Sequence, residues 1–131
     1  MGPGLTVLPA THRLVDADAF RATTRHGRRA GSTTLVTHLL VDDSVGGQFG
    51  VRPARAGFVV SKAVGISVVR SRVKRRLRHL VAERLDRLPA GGDLVVRANP
   101  PAARASYAEL GDDLDRCLDR ILTAEPGART S

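Results

Sequence analysis

The chain has 131 residues, enough for one domain around a modest core, and a single cysteine, Cys117, which excludes an intramolecular disulfide. Hydrophobic residues make up 42% of it and aromatics only 3%, so the core must be aliphatic. A net charge of +8 favours a polyanionic partner, nucleic acid before an anionic membrane surface. No run of 18 or more apolar residues is present to span a membrane, and no basic segment followed by an apolar run suggests a signal peptide. The opening Met1-Gly2-Pro3-Gly4-Leu5-Thr6 formally fits a myristoylation pattern, but Pro3 beside the acceptor glycine argues against it.

Charge is spread unevenly. Residues 1–105 carry +11 and residues 106–131 carry −3, so the basic body is distinct from an acidic last segment. Residues 1–12 read as a flexible arm, 13–123 as the folded domain and 124–131 as a flexible tail. Asp16 is placed to cap a helix that runs to His26 and stops at Gly27. Arg28-Arg29-Ala30-Gly31 reads as a basic turn, and Thr33 to Val41, rich in Thr, Leu and Val, as a strand. Asp42 to Arg55, with Gly46-Gly47, Gly50 and Pro53, reads as a loop leading to a short strand over 56–61. A long helix is expected from Ile66 or Val68 to Leu88, ended by Pro89-Ala90-Gly91-Gly92. A third strand covers 93–98 and closes at Asn99-Pro100-Pro101. Ser106 and Glu109 have capping-box spacing at the start of the last helix. Along that helix Tyr107, Leu110, Leu114, Cys117, Leu118, Ile121 and Leu122 form an apolar stripe, with Asp112, Asp113, Asp115 and Asp119 as its solvated face. The order is α-β-β-α-β-α, an α+β domain.

The segment Val69-Arg70-Ser71-Arg72-Val73-Lys74-Arg75-Arg76-Leu77-Arg78-His79-Leu80 carries the chemistry. Residues 61–80 hold seven basic side chains and no acidic one. At helical spacing Val69, Val73, Leu77, Leu80, Val81, Leu85 and Leu88 share one face, and Arg72, Arg75, Arg76 and His79 the opposite one. The i+4 neighbours of Arg72, Lys74 and Arg75 are themselves basic, which is unfavourable for a helix standing alone. Phosphates that neutralise the row would make sense of it. Arg70 falls toward the apolar side, so either the helix begins after it or its guanidinium reaches past the helix end.

Ser61-Lys62-Ala63-Val64-Gly65 followed by Val68-Val69-Arg70-Ser71-Arg72-Val73-Lys74-Arg75-Arg76-Leu77-Arg78 resembles the signature of the bacterial ribonuclease P protein family, approximately S-K-[KA]-V-G-x-A-V-x-R-N-R-x-K-R-x-x-R. The resemblance extends over about residues 8 to 123, with Arg13-Leu14, Phe20, Gly27-Arg28 and the Val95-Val96-Arg97-Ala98 strand in the expected order, and is strongest to actinobacterial members. Ser71 replaces the usual Asn, Ser67 a common Ala, and Thr24 a frequent aromatic.

The resemblance implies a single-domain α-β sandwich of order α-β-β-β-α-β-α with a left-handed βαβ crossover, the additional strand falling within residues 44–57. It implies a protein subunit that binds a catalytic RNA and the 5′ leader of precursor tRNA and promotes endonucleolytic, hydrolytic removal of that leader. Catalysis and Mg²⁺ would belong to the RNA subunit, in a 1:1 cytoplasmic complex with no membrane partner and no cleavage by protein alone. By position, Arg13, Phe20, Arg21 and Arg25 would face or flank the leader. Ser61, Lys62, Arg70, Arg72, Lys74, Arg75 and Arg78 would serve the RNA subunit or nearby phosphates, with Arg76 in the same basic row. Arg28 and Arg29 are either turn charges or RNA contacts. Phe20 is open between stacking on a base and packing in the core, and Phe58 reads as core. No protein catalytic group or metal site is expected: His12, His26, His38 and His79 have no metal-site spacing. A general RNA-binding protein and a protein-only nuclease are the competing classes; ribozyme stimulation and cleavage by protein alone discriminate them.

Overall fold

The computed structural model describes residues 8–41 and 52–123. Helix α1 (Ala17–His26) is followed by strands β1 (Arg28–Gly31), β2 (Leu35–Val41) and β3 (Arg55–Val59). Helix α2 (Ser67–Ala82), strand β4 (Gly92–Ala98) and helix α3 (Tyr107–Thr123) complete the domain. The four strands form one mixed sheet in the order β1-β2-β4-β3, with β3 and β4 parallel and joined through α2. The additional strand is Arg28–Gly31, expected to be a turn; of the range 44–57, where it was expected, 55–57 lie in β3 and 44–51 lie outside the described residues. Arg28–Gly31 becomes a strand because its backbone pairs with β2 from Leu39 to Val36, a tertiary effect that four residues with two arginines do not announce.

Two capping signals act as the sequence implies. The Asp16 carboxylate accepts a hydrogen bond from the Asp18 backbone N–H at 3.0 Å. At α3, Glu109 N–H donates to Ser106 Oγ at 3.0 Å and Ser106 N–H donates to Glu109 Oε1 at 2.8 Å, closing the capping box. Gly27 ends α1 for a different reason from the usual left-handed cap. Its φ is −73°, and a Cβ there would lie 2.5 Å from the Thr23 carbonyl oxygen and 2.8 Å from that of Leu39. The glycine lets α1 turn directly into the sheet.

Strand alternation splits the sheet into two unlike faces. Leu35, Leu39, Ala56, Leu94, Val96 and Ala98 join Val73, Leu77, Leu80 and Val81 of α2 and Leu110, Leu114, Cys117, Leu118 and Ile121 of α3 in one aliphatic core. Cys117 is fully buried on the apolar stripe, as expected, and Phe58 packs against this core. On the opposite face, among the described residues, lies the ten-residue α1.

Three expectations shift. Helix α2 stops at Ala82, and Leu85–Arg87 is a short 3-10 turn that delivers Leu88 to the core. Asp113 is not on a solvated face: it is buried, with the Thr34 backbone N–H donating to it at 3.1 Å beside the Thr34 hydroxyl. Residues 8–12, expected to belong to the arm, are packed. Leu8 is buried, Ala10–His12 forms a 3-10 turn, His12 Nδ1 lies 2.7 Å from the Ala54 carbonyl oxygen, and Arg13 bridges to Ala56. Residues 1–7 and the tail 124–131 lie outside the described residues.

Candidate nucleic-acid interface

On the α1 face the register lines up two rows of side chains across the strands. One row is Arg29, His38, Val95 and Gly57; the next is Gly31, Val36, Arg97 and Val59. Helix α1 lies over one part of these rows and leaves a cleft of about 550 Å³ lined by Thr24, Arg25, Arg29, Val36, His38, Arg97 and Asn99. Phe20 of the same helix lies over Gly57, on the same face of the sheet but outside the cleft lining. A Cβ at Gly57 would come within 2.5 Å of Phe20 Cε2, so the missing side chain seats the ring against the strand. Phe20 is half-buried there, packing on the sheet with part of the ring still exposed.

The cleft is electrostatically one-sided. Arg25, Arg29 and Arg97 have no acidic partner among the described residues, and no carboxylate lines the cleft. His38 is buried, with Nδ1 lacking a hydrogen-bond partner. Burial first, then Arg97 and Arg29, hold its imidazole below the ordinary range, so at neutral pH it is an uncharged group with an unused polar atom. Three guanidinium groups around a neutral, hydrogen-bonding ring suit a phosphodiester strand carrying bases.

Of the residues singled out on α1, Arg25 lines the cleft, Phe20 lies against Gly57 and is not among the lining residues, and Arg21 pairs with the neighbouring Asp18 on the exposed surface. The two turn arginines part company. Arg29 enters the cleft, while Arg28 points to the other face of the sheet and donates to the Ile121 carbonyl oxygen at 3.0 Å. Arg13 is not in the cleft; it lies on the α2 side with Arg75, Arg78 and His79. Sequence reading missed His38, Arg97 and Asn99 as cleft residues. The available signal was Arg97, the one exposed side chain in a strand otherwise buried from Gly92 to Ala98.

On α2 the outward face is not where helical spacing put it. Arg75 and Arg78 are exposed and Lys74 is half-buried. Arg72 and Arg76 are half-buried and lean over the Pro100–Ala105 segment, donating to the carbonyl oxygens of Ala103 at 3.4 Å and Ala105 at 3.2 Å. Arg70 resolves its own ambiguity: the helix begins at Ser67, and Arg70 Nε reaches back to donate to the Gly65 carbonyl oxygen at 3.0 Å. Ser61 and Lys62 are exposed on the turn before the helix. None of the seven cations of 61–80 has an acidic partner among the described residues.

The ribonuclease P family model matches residues 8–122. The chain belongs to the ribonuclease P protein family. The ribonuclease P protein component of a Nocardioides species is 58% identical over 115 residues, covering 88% of this chain and 95% of that protein. That of Streptomyces griseus is 53% identical over 119 residues, covering 88% and 96%. Among solved structures, the ribonuclease P protein of Staphylococcus aureus superposes with a TM-score of 0.71 at 20% identity, covering 83% of this chain and 94% of that one. The Thermotoga maritima protein gives 0.66 at 20% identity, covering 86% and 97%, so the fold is common across these distances. Membership makes this chain a protein component of ribonuclease P, an endonuclease, with RNA binding as the family's role. Among the described residues no helix is long and apolar enough to cross a membrane.

Proposed function

We propose that the α1 cleft holds the single-stranded 5′ leader of precursor tRNA while α2 and the Ser61-Lys62 turn dock on the catalytic RNA of ribonuclease P. The observation that carries this reading is the cleft itself: Arg25, Arg29 and Arg97 around His38, with no carboxylate among its lining residues. Guanidinium groups neutralise phosphates without reading sequence, and Phe20, over Gly57 on the same face, offers a partly exposed ring. A base stacked there contributes on the order of 1–3 kcal/mol whatever its identity. Such a cleft suits leaders of varied sequence.

Arg13, Lys74, Arg75 and Arg78 supply the phosphate contacts of the α2 side, and Arg70, Arg72 and Arg76 act there through the backbone they hold in place. Three buried or half-buried acids are engaged in the fold: Asp93 by Arg52 and Arg55, Asp115 by Arg84, Asp113 by Thr34 and Arg116. In this reading the protein binds and orients, the RNA subunit with its Mg²⁺ cleaves, and one protein joins one RNA in the cytoplasm. The domain spans the family match over residues 8–122. The test is precursor-tRNA cleavage by a bacterial ribonuclease P RNA at low Mg²⁺, with and without the protein. Restored cleavage at the mature 5′ end, with none by protein alone, is expected. RNA binding without stimulation would instead make it a general RNA-binding protein.

A further inference from the structure

We infer, on the reading that the α1 cleft holds the 5′ leader, that His38 takes up a proton as the leader enters. Acidification then tightens the hold on precursor tRNA and leaves mature tRNA unaffected. His38 is 8% exposed, lines the cleft, and carries an Nδ1 with no hydrogen-bond partner. Buried polar atoms are normally paired, so an orphan in a cleft points to a ligand that supplies the missing partner. Strand β2 is paired on both sides at this position, with Arg29 opposite on β1 and Val95 on β4, so the backbone fixes the ring in place.

In the empty cleft the charged groups around the ring oppose protonation. Arg29 comes from β1, Arg97 from β4 and Arg25 from α1, while β3 places uncharged Gly57 in the same row. Asp93 is on the same face of β4, one step along beside Leu40, and is held by Arg52 and Arg55. Asp16 and Asp18 lie at the opposite end of α1 from Arg25, about 10–13 Å away along the axis, and Asp18 pairs with Arg21. Burial first, then Arg97 and Arg29, keep the imidazole below its ordinary range. A phosphodiester among these guanidinium groups reverses the local balance. It cancels the cations that repelled a further positive charge and offers anionic oxygens to a ring N–H. The proton is drawn from solvent onto the lone pair of a ring nitrogen, and the only bond formed is N–H. A complex that holds more protons than its separated parts tightens as pH falls. The effect occupies the window between the lowered value of the free protein and the raised value of the complex, and vanishes above both.

Equilibrium binding of the holoenzyme to precursor and to mature tRNA, under conditions of slow cleavage and constant ionic strength, is measured from about pH 8 to about pH 5.5. Taking the ratio of the two affinities cancels protons bound where the protein meets its RNA subunit, those of His79 on α2 included. In the wild type the ratio is expected to favour precursor increasingly as pH falls. The rise should reach about threefold or more over the range and stay within about tenfold per pH unit, the limit for one proton. In His38→Gln the ratio should be flat, whereas His26→Gln, which removes an exposed imidazole from the end of α1, should keep the rise. A wild-type preference for precursor that is independent of pH would overturn the inference and leave the leader reading standing; a neutral base that satisfies Nδ1 would give that result. No preference for precursor at any pH would overturn the leader reading and this inference together. A rise that survives in His38→Gln would place the proton on another group. A second measurement needs no variant. Calorimetric binding near pH 6.5 in two buffers of different ionisation enthalpy counts the protons taken up. Precursor is expected to take up more than mature tRNA, and equal counts would refute proton uptake in the cleft whether or not the His38 variant folds.

Discussion

Arg52, Arg55, Arg84 and Arg87 each sit against carboxylates, whereas Arg25, Arg29, Arg75, Arg78 and Arg97 have none among the described residues. The first set lies where chain segments must be clamped together. Arg55 grips Asp93 through Nε and Nη2, both at 2.9 Å, and Arg52 adds a third bond to the same carboxylate at 2.9 Å while also donating to Gly91. Arg84 and Arg87 tie the turn that follows α2 to Asp115 and Asp119 of α3. The second set stands in the cleft and on the outer face of α2. One residue type therefore clamps the fold where acids accompany it, and at these five positions carries a charge that no acid among the described residues balances. Net charge alone cannot separate these uses; the placement of the acids does.

The largest expected effect breaks the first set. Asp93→Ala leaves two partly buried guanidinium groups without their carboxylate. Removing one partner of a buried pair costs about 3–5 kcal/mol. Because Arg52 and Arg55 keep 22% and 24% of their side-chain exposure, about 2–3 kcal/mol is expected here after allowance for solvent screening. Urea denaturation measures it, and the salt slope of RNA binding by the folded fraction should stay at the wild-type value. A lowered slope would show that the clamp also shapes the RNA surface.

The second effect falls on the other set. Arg29→Gln with Arg97→Gln removes two unpaired cations from the cleft, so stability should change by no more than about 0.5 kcal/mol. Holoenzyme affinity for precursor tRNA should fall with a salt slope lower by about two units, and affinity for mature tRNA should hold. Equal losses on both substrates would place the leader elsewhere.

These contrasts also mark what the sequence made legible. Local chemistry could be read: the Ser106–Glu109 box, the Asp16 cap and the buried Cys117 each depend on neighbours a few residues away. The family signature, being local too, carried the fold class and the role. Elements defined by distant partners could not be read. Arg28–Gly31 is a strand only because β2 pairs with it, and Arg72 turns inward only because the Ala103 carbonyl lies 31 residues away in sequence. For the same reason the arginines were legible as a class but not individually. Arg28 and Arg29 are adjacent in sequence yet project to opposite faces of a sheet that the chain has still to build.

His38 lies between the two regimes and gives the smallest effect. It is buried beside Arg29 and Arg97 with no acid among the described residues to balance them, and burial and those two charges hold its folded-state imidazole below the ordinary value of 6.5. The unfolded chain therefore takes up a proton at a higher pH than the folded one. Stability from this group is fully present well above 6.5 and is lost as pH falls from there toward the lowered folded-state value. Asp115 and Asp113, both held down, titrate below this window. Hydrogen bonds from Arg84 hold the Asp115 carboxyl down. At Asp113 burial pushes upward, but hydrogen bonds from Thr34 and Ser32, with the charge of Arg116, outweigh it. Their contributions are lost only on acidification below about 3.8, the ordinary carboxylate value. His38→Gln keeps a polar side chain and removes the titration. The fall in unfolding midpoint between pH 7.5 and pH 5.5 should therefore be shallower in the variant than in the wild type. An unchanged fall would mean that the cleft cations do not couple to this imidazole, and that the cleft is better screened by water than its geometry implies.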